Sequence, residues 1–351
     1  AYGINPVVKS LIVDGIFAGV GSVLVFLPII VTLFFFLSIL EDTGYMARVA
    51  FVMDKPLRKI GLSGRSIVPM LIGFGCSVPA IMATRTVSSD RDRKMTILLT
   101  PYMSCSAKIS IYAFFTAAFF PRYRALVMIG LYVLGILIGI AAALIMNKTA
   151  FRGKPVPFVM ELPAYHWPTL GNVLRSMWER GWSFIKKAGT IILLSTIFVW
   201  FTTYFGWVDG TFRMLDESEI QSSILAAIGG VIAWIFKPLG WGNWQAAVAS
   251  ITGLVAKENI VGTLGILYGG GDGTVYQNIG AAFTGISGFS FLVFNLLCAP
   301  CFAAIGAIKR EMNNRKWTWF AIGYQCGFAY LISLMTVSYT HLRAHETSQD
   351  L

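Results

Sequence analysis

Hydrophobic residues dominate this chain in long continuous runs that short polar stretches separate. A bilayer core about 30 Å thick needs roughly 20 apolar residues for each helical span, and most of the runs approach or exceed that length. They lack the period of two that the strands of a membrane barrel show. The pattern therefore predicts an all-α fold, a polytopic membrane helical bundle. The runs are 16–40, 66–84, 96–120, 125–147, 188–205, 223–237, 244–268, 289–308 and 317–337.

Residues that interrupt a regular helix occur inside these runs, in each half of the chain. The first half has glycines and a proline in Gly73–Thr86 and a proline in Pro101–Cys105. The second half has Ile251–Ile260, the glycine-rich Gly269–Gly273 and then Cys298–Cys301. Paired interrupted segments are typical of transporters with internal repeats, whose substrate site lies near the midplane between the breaks. The sequence thus predicts two repeats that contain discontinuous helices.

This repeat divides the chain into four parts. We expect a first membrane half at 1–147, a cytoplasmic connector with an interfacial helix at 148–187, a second membrane half at 188–337 and a non-native tail at 338–351. Within the connector, an apolar stripe beside basic residues over Thr169–Lys187 predicts a helix. Such a helix either lies in the membrane interface or packs on the bundle.

The tail breaks abruptly with the apolar span before it. His341 and His345 are four residues apart, a spacing that places both on one helix face and is able to hold a metal. We expect no such site, because the tail resembles read-through sequence more than a native terminus. The polar N-terminus lacks a signal-peptide pattern, so we expect the chain to start within a longer protein.

Composition and charge agree with a membrane protein. The chain is 56% hydrophobic and 13% charged, against about 25% charged residues in soluble domains. Its net charge of +11 is explained by the excess of Lys and Arg in cytoplasmic loops, so nucleic acid is not an expected partner. By this rule the basic stretch 146–187 faces the cytoplasm, and the acidic loop around Asp209 and Glu217 lies outside.

The five cysteines lie in or beside apolar runs, which does not favour a disulfide framework. Cys76, Cys105 and Cys301 lie where glycine or proline breaks the helix, and backbone broken at membrane depth must be buried in protein or line a wet cavity. Soft thiolates favour Fe(II), Cu(I) or Zn, whereas the ordinary alternative is an apolar filler. The spacing of Cys298 and Cys301 places both on roughly one helical face, and Cys326 is expected to be filler.

Glu258 stands beside Lys257 and Asn259 within an apolar stretch. Ionisable groups at membrane depth are costly and usually functional; the alternative for Glu258 is a structural ion pair with Lys257 or another base. The sequence has no phosphate-binding loop and no Ser/His/Asp or His-Glu-x-x-His constellation. We therefore expect no enzyme.

Four segments closely resemble the membrane domain of FeoB, a family of bacterial ferrous iron transporters. They are Leu40–Arg48, Gly73–Thr86, Pro101–Cys105 and Ala256–Asn259. The resemblance implies an inner-membrane, multi-pass Fe²⁺ importer with two gate-like repeats around the ion path. It places Cys76, Cys105 and Cys301 at metal-contacting positions, and we expect Glu258 or Asn259 to supply oxygen.

The resemblance also carries expectations about partners. Fe²⁺ is the transported substrate, and no bound organic cofactor is expected. The partners are the lipid bilayer, the family's N-terminal GTP-binding domain, which we expect to be missing from this chain, small accessory proteins and a second copy of the chain. Two alternatives stay open: a related gate-repeat carrier of an organic solute such as a nucleoside, or a metal-sensing membrane scaffold for a GTPase.

Overall fold

The computed structural model describes residues 6–153, 164–208, 211–215, 217–269 and 274–349. Residues 270–273 of the glycine-rich stretch and the side chains of His341 and His345 lie outside this description, as does Asp209. The predictions that concern them therefore stay predictions.

Helices form most of the described chain. They are α1 (Pro6–Ser10), α2 (Ala18–Asp42), α3 (Tyr45–Lys59), α4 (Ile67–Gly73), α5 (Ser77–Ala83), α6 (Asp90–Leu99), α7 (Ser106–Phe119), α8 (Arg124–Lys148), α9 (Leu170–Phe184), α10 (Thr190–Tyr204), α11 (Ile224–Phe236), α12 (Trp244–Val255), α13 (Asn259–Tyr268), α14 (Val275–Ala282), α15 (Gly285–Leu297), α16 (Phe302–Met312) and α17 (Arg315–Gln349). One antiparallel hairpin pairs β1 (Phe205–Val208) with β2 (Thr211–Met214).

Three stretches of the described chain are long and apolar enough to cross a membrane, or five if each of two bent helix pairs is one span. The three are Arg124–Lys148, Gly285–Met312 and Arg315–Ser338. The chain is thus a helical membrane protein, and the predicted all-α bundle is confirmed. Fewer spans appear than the nine apolar runs because several runs fold as short helices. Run 66–84 contains the seven-residue helices α4 and α5, and the neighbouring runs 223–237 and 244–268 form a bent pair in which α11, with the turn that extends it, meets α12 at 102°.

Four helix pairs are interrupted as the sequence predicts. The breaks are Phe74–Cys76 between α4 and α5, 100–105 between α6 and α7, 256–258 between α12 and α13, and 298–301 between α15 and α16. A Cβ at Gly75, within the first break, would lie 2.6 Å from Leu33 Cδ2, so a larger residue there requires the Leu33 side chain to move. The prediction that Cys298 and Cys301 share a helical face is wrong, since both residues lie in non-helical chain between α15 and α16.

The two halves pack through a continuous core and an ion pair. In the core, the Phe115 ring of α7 stacks on Phe291 of α15 with ring centres 4.9 Å apart. On the basic side of the bundle, Arg85 donates two hydrogen bonds, of 2.7 and 2.6 Å, to the buried carboxylate of Glu311 on α16. On the same side, Lys94 pairs with Asp90 and lowers the pKa of that carboxyl.

The connector helix α9 packs one side against α2. Arg180 forms an ion pair with Glu41 at 2.5 Å, and Phe184 is buried at the end of the helix. The opposite side keeps Trp178 and Trp182 exposed and stacked on each other. Packing on the bundle therefore accounts for one face of α9, and membrane-interface contact of the aromatic face stays a prediction. A π-helical turn, Ile185–Gly189, joins α9 to α10.

Candidate functional site

A cavity of about 80 Å³ lies where the four breaks meet. A buried water needs only about 10–15 Å³ on a comparable measure, so this central cavity has room for an ion with some of its water. Each break contributes to the wall. The lining residues are Ile30, Gly75, Cys76, Ser77, Val78, Cys105, Ser106, Ala107, Lys108, Phe184, Ile192, Val255, Ala256, Lys257, Glu258, Pro300, Cys301 and Ala303.

Four of these residues occupy equivalent positions in the chain. Cys76, Cys105, Glu258 and Cys301 each stand at the N-cap of the helix that follows their break. None of the four side chains forms a capping hydrogen bond of standard geometry with its own helix, and all four residues line the central cavity. The partial positive charge of a helix N-terminus is complementary to a thiolate or carboxylate. The local fold thus gathers three thiols and one carboxylate around one space.

Hydrogen bonds fasten the two breaks of the first half to each other. Both the backbone N–H and the hydroxyl of Ser106 donate to the Gly75 carbonyl, at 3.2 and 3.1 Å. Because these two residues are direct neighbours of Cys105 and Cys76, the pair holds both cysteines beside the cavity. This contact explains how residues 29 positions apart in the sequence reach one site.

Two buried lysines complete the site, and both were missed as functional residues by sequence analysis. Lys108 and Lys257 are 2% and 3% exposed. The Lys257 ammonium lies 2.8 Å from Cys298 Sγ. Within the described residues no base lies within 4.0 Å of the Glu258 carboxylate, so the alternative of an ion pair between Lys257 and Glu258 is not formed. The rule that makes an intramembrane ion functional by default would have found Lys108.

Asn259 lies apart from the other predicted ligands. It lines a separate cavity of about 360 Å³, between α10, α11, α12 and α13, together with Thr252 and Thr263. Glu258, the last residue of the break, therefore lines the central cavity, whereas Asn259, the first residue of α13, lines another. The role of Asn259 as a metal ligand stays a prediction.

The described residues contain no group of three or more His, Cys, Asp or Glu side chains arranged to hold a metal ion. The three cysteines and Glu258 share the central cavity without converging on one point.

Phe184 separates the central cavity from a third cavity of about 440 Å³. Its side chain is 6% exposed and lines both spaces. The third cavity is bordered by Arg85 and Arg180 and by the acidic Glu41 and Glu179. The positive-inside rule predicts that the two arginines face the cytoplasm, and this orientation stays a prediction. The aromatic ring thus closes the central cavity on this side.

Discontinuous helices that enclose a cavity at their breaks define a membrane transporter domain built from gate repeats. The Gate family model, described as nucleoside recognition, matches residues 23–119 and 185–315. The model described as ferrous iron transport protein B C terminus matches residues 128–180. The chain belongs to the FeoB family and corresponds to its membrane domain.

Curated relatives share this similarity over nearly the whole chain. It is 42% identical to the Fe(2+) transporter FeoB of Methanocaldococcus jannaschii, over 94% of this chain and 50% of the relative. The Staphylococcus aureus (strain COL) protein of the same name is also 42% identical, over 97% of this chain and 50% of the relative. A Porphyromonas gingivalis protein named as a fusion of Fe(2+) transport protein A and FeoB is 38% identical, over 93% of this chain and 44% of the relative.

The chain spans about half the length of these relatives. They are transporter proteins, and no enzymatic family is indicated for this chain. No solved structure matches it.

Proposed function

We propose that this chain conducts Fe²⁺ across the bacterial inner membrane through the central cavity, with Cys76, Cys105, Cys301 and Glu258 as transient ligands. The observation that carries the proposal is the meeting of three thiols and one carboxylate, each at a helix break, in one small cavity. Relatives named Fe(2+) transporters support the choice of metal.

The chemistry of these groups suits ferrous iron. Thiolates are soft ligands that favour Fe(II) over Mg²⁺ or Ca²⁺, and the Glu258 carboxylate adds negative charge that lowers the cost of dehydrating a divalent cation. The proposed ligands stand at the ends of four different helices. Each ligand is able to move with its own helix, so the ion is bound only briefly. In this path Asn259, in the 360 Å³ cavity, supplies oxygen before the ion reaches the thiols.

The partners follow from the relatives. We place the family's GTP-binding domain N-terminal to this chain, where the relatives extend beyond the match. A small accessory protein is supported by the Porphyromonas gingivalis relative, whose name joins Fe(2+) transport protein A to FeoB. Both would bind the basic, cytoplasmic side of the bundle.

Iron flux into sealed liposomes tests the proposal. Vesicles that hold this chain, alone and joined to the N-terminal part of its relatives, are loaded with an Fe²⁺-sensitive dye and mixed with Fe²⁺ under anaerobic conditions. We expect the dye response to rise faster than in empty vesicles in at least the joined preparation. Fe²⁺ binding without entry in both preparations would instead identify a metal-sensing scaffold.

A second candidate is an organic solute such as a nucleoside. The Gate model is described as nucleoside recognition, and the 360 Å³ cavity carries the hydroxyls of Thr196, Thr203, Thr252 and Thr263. Thermal unfolding of the purified protein separates the two candidates. A rise in melting temperature with uridine and none with Fe²⁺ would overturn the metal assignment.

Removal of the Phe184 ring is expected to open the central cavity toward the cytoplasmic side. The test uses a variant in which Cys76 is the only cysteine left. In it, Phe184→Ala should increase the rate of labelling by a charged thiol reagent by about tenfold, which corresponds to a barrier to access lower by roughly 1.4 kcal/mol. Phe34→Ala is the matched control, because Phe34 lines the 440 Å³ cavity but not the central one. Equal labelling rates in the two variants would show that Phe184 is not the barrier.

A further inference from the structure

The ammonium of Lys108 lies at the junction of the two halves. It donates to the Pro101 carbonyl at 2.6 Å and to the Leu296 carbonyl at 2.7 Å, and the Met103 carbonyl lies at 3.5 Å. Pro101 and Met103 belong to the break before Cys105, whereas Leu296 is in the last turn of α15. A lysine ammonium has three N–H donors, so these three carbonyls account for all of them.

These carbonyls form a site whose partial negative charge favours a cation. Where a helix stops, its last carbonyl groups have no partner within the helix and carry partial negative charge. At membrane depth such groups must be satisfied inside the protein. Transporters with broken helices commonly do this with Na⁺, which unwound carbonyls and helix C-terminal ends coordinate. Here Lys108, only 2% exposed, places a covalently attached cation at that position.

We propose that Lys108 is a tethered cation, whose ammonium fills a monovalent-cation site between the halves and fastens them without a bound ion. The equivalent position in the second half, three residues after Cys301, is Ala304, so one half supplies the cation and both supply carbonyls. The proposal concerns the assembly of the two halves and stands whichever substrate the central cavity carries. It makes Lys108 a positioning residue for the breaks that bear the thiols.

Exchange of the tethered cation for a free one tests this proposal. Melting curves of the purified chain are recorded in NaCl, KCl and choline chloride at equal ionic strength. We expect the wild type to melt at the same temperature in all three salts. In choline chloride, Lys108→Ala should melt lower by about 5 °C or more, and NaCl or KCl should restore at least half of that loss. Lys108→Arg, which keeps the charge, should remain insensitive to the salt.

Two further variants separate this role from general packing. Lys257→Ala removes a lysine that is equally buried but bonded to a thiol rather than to carbonyls, so its loss of stability should be the same in all three salts. Lys108→Gln keeps two N–H donors but has no charge. It replaces Lys108→Ala in the melting experiment if the alanine variant does not fold. Melting temperatures of the Lys108 variants that are the same in sodium, potassium and choline chloride would overturn the proposal.

Discussion

Serine at Cys76, Cys105 and Cys301 together is expected to abolish Fe²⁺ uptake, and each single replacement should lower it by about tenfold, equivalent to about 1.4 kcal/mol. A serine hydroxyl nearly preserves the side-chain shape, but it is a neutral oxygen ligand in place of a soft thiolate. The change therefore tests ligand chemistry rather than packing. Uptake is measured with radioactive iron, under reducing conditions, in cells that produce the full-length transporter.

The chain contains its own controls for this experiment. Cys326→Ser lies within the regular helix α17 and outside the lining of the central cavity. Cys298→Ser alters the contact with Lys257 without removing a cavity thiol. Both variants should keep most of the uptake. Unchanged uptake in Cys76→Ser, Cys105→Ser and their double variant would remove these two cysteines from the path.

Alanine at Gly135 is expected to destabilise the bundle strongly. A Cβ at this position would lie 2.8 Å from the Tyr102 carbonyl oxygen. That atom is backbone, so relief requires a shift of the turn that precedes Cys105. Overpacking of this kind costs roughly 1–3 kcal/mol, which lowers the melting temperature of a chain of this length by roughly 1–4 °C. Thermal unfolding in detergent or nanodiscs measures the change, and uptake should fall as well because the break carries a proposed ligand.

Gly130→Ala provides the matched comparison on the same helix, α8. Among the described residues, no atom outside the neighbouring backbone of the same helix lies within 4 Å of a Cβ built at Gly130, and alanine favours a helix over glycine by up to about 1 kcal/mol. We therefore expect this variant to melt at the wild-type temperature or slightly above it. If the two alanine variants melt alike, α8 does not approach the break as closely as the structure has it.

The sequence was informative where local chemistry decides the backbone. Gly73, Gly75 and Pro79 predicted the first break, because glycine and proline weaken a helix wherever they occur. The same argument located the break 298–301, which contains Pro300 and ends at Cys301. A helix that restarts after a break needs an N-cap, and the predicted cysteines occupy that position.

What depends on distant partners could not be predicted. The Leu296 carbonyl that accepts from Lys108 lies 188 positions away in the sequence, and no local pattern marks a carbonyl as unsatisfied. Asn259 lines a different cavity from Glu258 because of the angle between α12 and α13. Hydrophobic periodicity in the sequence does not encode that angle. Lys257 is a possible partner for Glu258 from the sequence because the two residues are adjacent. In the folded chain the Lys257 ammonium instead contacts the sulfur of Cys298.

The ion pair between Arg85 and Glu311 connects the turn that follows α5 to α16, and Cys76 and Cys301 are the N-cap residues of these two helices. Helix α5 has only seven residues, about 10 Å at 1.5 Å per residue, so it moves as a short rigid rod. If the two thiols hold Fe²⁺ as proposed, an ion that draws them together shifts the far ends of both helices. A protein that binds at Arg85 and Glu311 and changes the distance between them would then change the affinity of the two thiols for the proposed ion. By thermodynamic reciprocity, the ion would change the affinity for that protein by the same factor.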